Sequence, residues 1–255
     1  CRERSQRCSS DGDCCRGLVC SNVTETCEPP ITIDCSDAID IVFAVDTSCS
    51  ISSLDKDRIR TFMTEIARAF FLSPSIEDDG VQMGALTFNK GTQHVAYLSD
   101  VEDPGKLIQS IATMNLTEVG CSTHTYAALE RMENLYFTSG RGDRPDAPNQ
   151  VILLSDGVTK PDGKVQDTYD NADSLRATGA VILVVGLPQG CKPNKPNCVP
   201  QVIGQEEWMR ISGASDNPDL MINILSADFT RLRDTVMQIG EKVCGKGSVR
   251  VLGAN

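Results

Sequence analysis

The sequence is poor in the residues and motifs on which most enzymes depend. It contains 2 histidines among 255 residues: His94 lies in a predicted strand, and His124 directly follows Thr123. It has no Gly-x-Ser-x-Gly nucleophile elbow, no Gly-x-Gly-x-x-Gly dinucleotide motif and no complete phosphate-binding loop. The run Gly245-Lys246-Gly247-Ser248 lacks the preceding strand and the glycine spacing of such a loop, and is typical of a linker. We therefore expect a protein that is not an enzyme.

Long apolar runs and an excess of basic residues are also missing. No run approaches the roughly 20 apolar residues that span a bilayer, so we expect no membrane span. The net charge of -11 and the pI near 4.7 argue against nucleic acid or an anionic membrane as the main partner. Because the chain opens at Cys1 without a methionine or a signal peptide, we expect a processed form or a fragment.

Cysteine is abundant, and none of the 12 cysteines forms a Cys-x-x-Cys pair of the zinc-binding type. An even number of cysteines without such pairs indicates disulfides formed in an oxidising compartment. Asn22-Val23-Thr24 and Asn115-Leu116-Thr117 are acceptor sequences for glycosylation at Asn22 and Asn115 if the chain is secreted. Together these features predict a secreted, extracellular protein.

Residues 1–28 form a first unit, which holds six of the cysteines and few apolar residues. A segment shorter than about 40 residues usually folds on disulfides because it cannot build an apolar core. The order of single, single, adjacent pair, single and single cysteines resembles the inhibitor-cystine-knot (knottin) family. That resemblance implies the pairs Cys1–Cys15, Cys8–Cys20 and Cys14–Cys27, although the spacing alone does not choose among the possible pairings. Both a toxin-like or receptor-binding module and an inert structural cap fit this unit.

A short linker at residues 29–34 leads to a second unit at residues 35–244, in which strands and helices alternate. Apolar runs and alternation predict the strands Ile39–Val45, Val81–Phe88, His94–Leu98, Val151–Leu154, Val181–Leu187 and Leu220–Ile224. Helical periodicity predicts a helix capped by Ser52 or Ser53 and further helices at Leu107–Ile111, Thr125–Tyr136, Val165–Thr178, Glu206–Ile211 and Ala227–Val243. The pattern indicates an α/β fold with a doubly wound, mostly parallel, six-stranded sheet and helices on both faces. Residues 245–255 are expected to be a C-terminal tail or linker.

Oxygen-bearing side chains recur where predicted strands end or helices begin. They are Asp46, Ser48 and Ser50 after the first strand of the second unit, Thr123 before a helix, and Asp156 in Ser-Asp-Gly after a later strand. Each alone is explained by a turn or a helix cap. Ligands bind beyond the carboxyl ends of the strands in such sheets, and two carboxylates with three hydroxyls suit a hard cation, Mg²⁺ before Zn²⁺. The combination therefore predicts a metal site with an open coordination position.

This arrangement, over residues 35 to about 244, resembles the von Willebrand factor A domain, also called the integrin inserted domain. The resemblance implies a complete metal-ion-dependent adhesion site (MIDAS) made of the five residues above, with the serines and Thr123 bound directly to the metal. It also implies that Mg²⁺ (or Mn²⁺ or Ca²⁺) accepts a Glu or Asp carboxylate from a protein partner, with His124 and Gly157 at the ligand rim. The fold it implies is Rossmann-like, in agreement with the pattern of strands and helices.

The six remaining cysteines lie in the second unit. In many members of the family a disulfide joins the two ends of the domain, which implies Cys35–Cys244 here. Cys191 and Cys198 bracket a short segment and would close a small surface loop. Cys49 and Cys121 lie inside two metal-binding loops, and we expect them to form a disulfide across the site. The alternative is two free or differently paired thiols.

Arg141-Gly142-Asp143 is the tripeptide that many integrins recognise. It lies in a polar loop before a buried strand, where Gly, Arg, Pro and Asp commonly set up the strand in related domains. We do not expect integrins to recognise it.

These observations predict a secreted adhesion or matrix protein that binds collagen or another matrix protein through Mg²⁺. One alternative is a structural component of the extracellular matrix in which the metal site is secondary. Another is an inhibitor or toxin-like ligand whose active part is the knottin-like unit. Binding that a chelator abolishes would support the first function. Assembly that a chelator leaves unchanged would support the second, and activity of residues 1–28 alone would support the third.

Overall fold

The structure is a computed structural model that describes residues 1–9, 13–15, 18–21, 26–28, 30–70, 72, 80–117, 120–189, 201–226 and 232–251. Within these ranges, no helix is long and apolar enough to cross a membrane. The strands in these described residues are β1 (Val19–Ser21), β2 (Thr26–Glu28), β3 (Ile31–Ile33), β4 (Ile39–Asp46), β5 (Val81–Phe88), β6 (Thr92–Ala96), β7 (Asn149–Ser155), β8 (Val181–Gly186), β9 (Ile224–Ser226) and β10 (Val249–Val251). The α-helices are α1 (Ser53–Ala69), α2 (Pro104–Ala112), α3 (Thr125–Arg131), α4 (Val165–Ala177), α5 (Gln205–Ser212) and α6 (Leu232–Cys244).

The central sheet has six strands in the order β6-β5-β4-β7-β8-β9. All neighbouring strands run parallel except β6, which pairs antiparallel with β5 through the hairpin at residues 89–91. The predicted α/β fold with a mostly parallel sheet is therefore confirmed. The order reverses around β4, whose neighbours are β5 and β7, so the carboxyl ends of these strands form a crevice for a ligand.

Strand β4 shows why this sheet must be covered on both faces, because all eight of its residues are buried. Ile41 and Phe43 point into one apolar cluster, with side chains of α1, α2 and α6. Val42 and Ala44 point into the other, with side chains of α3, α4 and α5. Successive strand residues face opposite sides, so a nearly continuous apolar run of this kind is stable only between two helical layers.

Helix α1 begins as its sequence predicts. The Oγ of Ser52 accepts the backbone N–H of Asp55 at 3.1 Å, which satisfies one of the free amides at the helix start. Phe62 and Met63 lie on its buried face, and Phe70 is the residue after the last helical turn. Its backbone N–H still donates to the carbonyl of Ile66.

Some element boundaries differ from those predicted. The sixth strand of the sheet lies at Ile224–Ser226, and a 3-10 helix at Pro218–Asn223 occupies most of the segment predicted as a strand. The edge strand β6 begins two residues earlier than predicted, at Thr92. The helix predicted over Thr125–Tyr136 becomes a π-helix from Met132 onwards. These are ends and edges, where neighbouring contacts rather than periodicity set the limits of an element.

The expected linker and C-terminal tail contain a pair of strands. Ile31–Ile33 pairs antiparallel with Val249–Val251, so both segments are ordered against the second unit. A side chain at Gly240 of α6 would lie 2.9 Å from Ile33 Cδ1 and 2.8 Å from Val249 Cγ2, so the small sheet packs directly on this helix. Pairing over more than 200 residues has no local signature, which is why periodicity did not indicate it.

Disulfides rather than an apolar core hold the described part of the first unit together. The structure joins Cys1 to Cys15, Cys8 to Cys20 and Cys14 to Cys27, the pairs that the knottin resemblance implies. Its buried cluster consists of the cysteines at 8, 14, 20 and 27, with Leu18 packed against it. In the second unit Cys35 is joined to Cys244. Cys191 and Cys198 lie outside the described residues.

Candidate metal centre

The first loop of the site follows β4 and is folded by its own aspartate. Asp46, the last residue of β4, is buried, and its Oδ1 accepts the backbone N–H of Ser48 at 2.8 Å. This bond across two residues is an Asx turn, which aligns the two serines that follow. Ser48 Oγ and Ser50 Oγ are then 2.9 Å apart.

The third loop brings Asp156 to the same place. Ser50 Oγ donates to Asp156 Oδ1 at 3.0 Å, and Ser48 Oγ lies 3.5 Å from the same oxygen. Ser155, the last residue of β7, donates its Oγ to Asp46 Oδ2 at 2.9 Å. Because β4 and β7 are parallel neighbours, residues 46, 48, 50, 155 and 156 meet at one edge of the sheet.

The second loop reaches this edge through its backbone and a disulfide. Thr123 is buried, and its carbonyl accepts the backbone N–H of Lys160, which lies beyond Asp156. A disulfide joins Cys49 in the first loop to Cys121 in the second, with a Cα–Cα distance of 4.9 Å. The structure thus brings all three predicted loops together.

Asn89 adds a further connection between the loops. Its Nδ2 donates to Thr47 Oγ1 at 2.8 Å, and its carbonyl accepts the backbone N–H of His124 at 2.8 Å. Asn89 and Ser155 were not singled out in the sequence, although each directly follows or ends a predicted strand. Their position at the carboxyl ends of the strands was the signal that could have identified them.

The site holds two acidic groups in an environment that opposes their charge. The pKa of Asp46 is raised to about 7, first by burial and then by the charge of Asp156. Burial also raises the pKa of Asp156, against hydrogen bonds from the serines that lower it. Two buried carboxylates in contact with one set of hydroxyls favour either protonation or a cation.

An unpartnered atom tests whether a cation fits. Asp156 Oδ2 is buried and has no hydrogen-bond partner, whereas Oδ1 accepts from the serines. A buried carboxylate oxygen without a partner is costly, and a divalent cation would satisfy it. The donors at this edge are carboxylate and hydroxyl oxygens, which bind hard cations such as Mg²⁺, so the residues fit the predicted group.

The two residues expected at the ligand rim, His124 and Gly157, lie in different surroundings. His124 is half-buried beside Thr123, and its Nδ1 lies 3.1 Å from Tyr126 Oη. Partial burial and the charge of nearby Lys90 lower the pKa of His124. Gly157 is buried, and its carbonyl accepts a hydrogen bond from Trp208 Nε1 at 3.2 Å.

The Arg141-Gly142-Asp143 tripeptide lies in a 3-10 turn and the loop that follows it, and it is engaged by its own protein. The Arg141 guanidinium stacks over the ring of Tyr97 at 4.1 Å from the ring centre. Gly142 has φ of +94°, and an added Cβ would lie 2.9 Å from the Cα of Ser99. One carboxylate oxygen of Asp143 is buried. Arg141 and Asp143 are both only partly exposed.

The next residue of that loop, Arg144, has a structural role. It is buried, and it bonds Asp40 of β4 through its Nε at 2.8 Å and its backbone N–H at 2.7 Å. Its Nη2 also donates to the carbonyls of Ile39 and Gly80 at 3.0 and 2.9 Å. The loop before β7 therefore sets up the amino edge of the sheet, opposite the metal centre.

Two curated relatives contain similar sequence. The von Willebrand factor A domain-containing protein 2 of Xenopus laevis is 25% identical over 169 residues, which are 66% of this chain and 19% of that protein. The collagen alpha-5(VI) chain of Mus musculus is 24% identical over 215 residues, which are 83% of this chain and 7% of that protein. The chain therefore spans 19% of the length of the first relative and 7% of the length of the second.

A solved structure shares the fold. Proximal thread matrix protein 1 from the mussel byssus, with a zinc-occupied MIDAS motif, superposes with a TM-score of 0.69 at 20% identity. The match covers 84% of this chain and 50% of that chain. At this identity the likeness concerns the fold, and the zinc is a property of the mussel protein.

The relatives are secreted, non-enzymatic proteins of the extracellular matrix and of adhesion. The expectations of an extracellular matrix location and of a protein that is not an enzyme are confirmed by these relatives. The disulfides of both units agree with that location.

The family model of the von Willebrand factor type A domain matches residues 40–238. The match covers more than half of the chain and includes all three loops of the metal centre. It confirms the resemblance that the loop residues carry. The chain belongs to the von Willebrand factor type A domain family.

Proposed function

We propose that this protein binds an extracellular matrix protein through a divalent cation held by Asp46, Ser48, Ser50, Thr123 and Asp156. The observation that carries the proposal is the buried, unpartnered Oδ2 of Asp156 beside the carboxylate of Asp46. A bound cation would neutralise the two carboxylates and act as a Lewis acid toward one oxygen of the partner. The chain's own residues position the cation.

The chemistry of the donors favours Mg²⁺ or Mn²⁺ over Zn²⁺. No histidine or cysteine side chain lies among the five residues, and oxygen donors suit harder cations. Two aspartates leave a bound Mg²⁺ close to neutral, so one further carboxylate from the partner is tolerated and oriented. An acidic residue of collagen or of another matrix protein is the expected contact.

The test is binding of the whole chain to a panel of matrix proteins in Mg²⁺, Mn²⁺, Zn²⁺ and EDTA. We expect binding in Mg²⁺ and Mn²⁺, none in EDTA, and loss of binding in Ser50→Ala. Ser36→Ala is the matched control, because Ser36 also donates to an aspartate, at 3.2 Å, but lies before the amino end of β4. Equal binding by the two variants contradicts the proposal.

The same panel separates the two alternative functions. Assembly that persists in EDTA would favour a structural matrix component with a secondary metal site. Binding that survives EDTA and is lost on selective reduction of residues 1–28 would favour a knottin-like inhibitor or toxin-like module.

Glycosylation at Asn115 is part of the same proposal of a secreted protein. Asn115 and Thr117 are exposed, and Asn115 Oδ1 accepts the backbone N–H of Thr117 at 2.9 Å. The acceptor is therefore accessible in the folded chain. Asn22 lies outside the described residues. Mass measurement of the secreted protein before and after removal of N-glycans tests both positions.

A further inference from the structure

Helix α5 lies against the loop that carries Asp156, and a buried glutamate makes the contact. Glu207 is 5% exposed, although glutamate is rarely buried without a partner. Its carboxylate accepts the backbone N–H of Thr159 at 2.8 Å and the hydroxyl of Thr159 at 2.7 Å. Thr159 itself is fully buried. A charged acceptor makes such bonds shorter and stronger than neutral ones.

Burial of the Glu207 carboxylate destabilises its charged form. Burial raises the pKa of Glu207, whereas the bonds from Thr159 and the charge of Lys160 lower it. Its neighbour Glu206 is exposed, so the helix gains its ordinary acidic first turn without burying a charge. Glu207 lies in the same first turn, and its carboxylate accepts both hydrogen bonds from Thr159 of the loop.

The same helix holds the loop at a second point. Trp208 Nε1 donates to the carbonyl of Gly157, and a Cβ on Gly204 would lie 2.7 Å from that carbonyl oxygen. Residues 157 and 159, on the carboxyl side of Asp156, are thus both fixed by the first turn of α5. These two contacts restrict the movement of the backbone that directly follows Asp156.

The contact continues into the second metal loop. Lys160, next to Thr159, donates its backbone N–H to the carbonyl of Thr123 at 2.9 Å. A displacement of Thr159 would therefore shift the segment that also positions Thr123. One carboxylate in α5 is connected in this way to two of the three loops.

We propose that Glu207 is a positioning residue of the metal centre, which holds the loops of Asp156 and Thr123 in the geometry that binds a cation. The inference rests on the proposed function, because it names a residue that acts on the same site. Glu207 is not one of the five residues proposed to hold the cation, and it would act through Thr159. Loss of a residue that orients metal ligands typically weakens metal affinity by about 10–100-fold.

The experiment compares Glu207→Ala and Glu207→Gln with Glu206→Ala in the full chain. Titration calorimetry with Mg²⁺ is expected to show about 10–100-fold weaker binding for Glu207→Ala. Glu207→Gln keeps one acceptor oxygen and should lie between Glu207→Ala and the unmodified chain, while Glu206→Ala should match the unmodified chain. Unchanged Mg²⁺ affinity in a folded Glu207→Ala variant overturns the proposal and leaves a purely structural role.

A second readout does not need a bound metal. Amide hydrogen exchange in EDTA should become faster at residues 157–160 in Glu207→Ala and stay unchanged in Glu206→Ala. Exchange that is unchanged at these residues, or faster throughout the second unit alike, overturns the proposal. If the unmodified chain fails to bind Mg²⁺, the proposed function fails, and exchange still decides whether Glu207 holds the loop. Should Glu207→Ala not fold, Thr159→Val removes one of the bonds, and the same two measurements apply.

Discussion

Replacing Asp156 by asparagine should separate the cost of the metal site from its function. Asparagine has nearly the same shape as aspartate and removes one of two buried charges. Without metal, burial and then the charge of neighbouring Asp156 raise the pKa of Asp46 to about 7. The change Asp156→Asn should therefore stabilise the metal-free protein while abolishing its response to Mg²⁺.

The substitution should stabilise the metal-free protein and remove the stabilisation that Mg²⁺ provides, and these two free energies are comparable in magnitude. A shift of one pKa unit corresponds to about 1.4 kcal/mol, and because burial is the larger cause we expect a gain of about 1–2 kcal/mol without metal. In the unmodified protein, Mg²⁺ at 100 times its Kd should raise the free energy of unfolding by about 2.7 kcal/mol. For a domain of about 150–250 residues each kcal/mol moves Tm by about 2–4 °C, so Mg²⁺ should raise Tm by about 5–10 °C.

The stability of the metal-free protein depends on pH because the pKa of Asp46 is raised. A carboxyl group with a raised pKa in the folded state destabilises that state at high pH, and the cost disappears as pH falls below the unfolded pKa. For Asp46 this window runs from about 7 down to its usual value near 3.8. The stabilisation of metal-free Asp156→Asn should thus be largest above pH 7 and smaller at pH 5.

Thermal unfolding in EDTA and in Mg²⁺, at pH 8 and pH 5, measures all of these effects. Asp162→Asn is the matched control, since this aspartate is 81% exposed and follows the same loop. The control should keep the full response to Mg²⁺ and show no stabilisation in EDTA. An Asp156→Asn protein that is less stable in EDTA, or that retains the Mg²⁺ response, refutes the reasoning.

Three further predictions concern covalent and ionic contacts. Replacing Cys49 and Cys121 together by Ala should change the affinity for the matrix ligand more than Tm, because the disulfide restrains two metal loops. An equally large loss of affinity and of Tm would contradict this, and so would peptide mapping that shows another pairing of these cysteines. Arg144→Ala should lower the free energy of unfolding by about 3–5 kcal/mol in urea melts, since Asp40 remains buried without its cation; a loss below about 1 kcal/mol would show that Asp40 is otherwise satisfied. Reduction should unfold residues 1–28 and leave most of the second unit folded, and a single shared transition by circular dichroism would argue against independent units.

The sequence predicted those features that depend on neighbouring residues. The nearly continuous apolar run of β4 required burial on both faces, and Ser52 or Ser53 was expected to cap the start of α1. The oxygen-bearing residues after β4 and β7 identified the metal loops, because the carboxyl ends of neighbouring parallel strands must meet. Periodicity, capping and strand ends are local, so a single sequence records them.

Other features arise only when distant segments pack. The bond from Thr159 to Glu207 joins residues 48 positions apart, and no pattern in either segment indicates it. The pairing of Ile31–Ile33 with Val249–Val251 and the burial of Gly157 under Trp208 likewise depend on where loops and helices settle. The sequence by itself determined which side chains are available for a cation and at which strand ends they lie. The tertiary structure decided how they are held, because the supporting contacts come from elements that approach one another only in the folded chain.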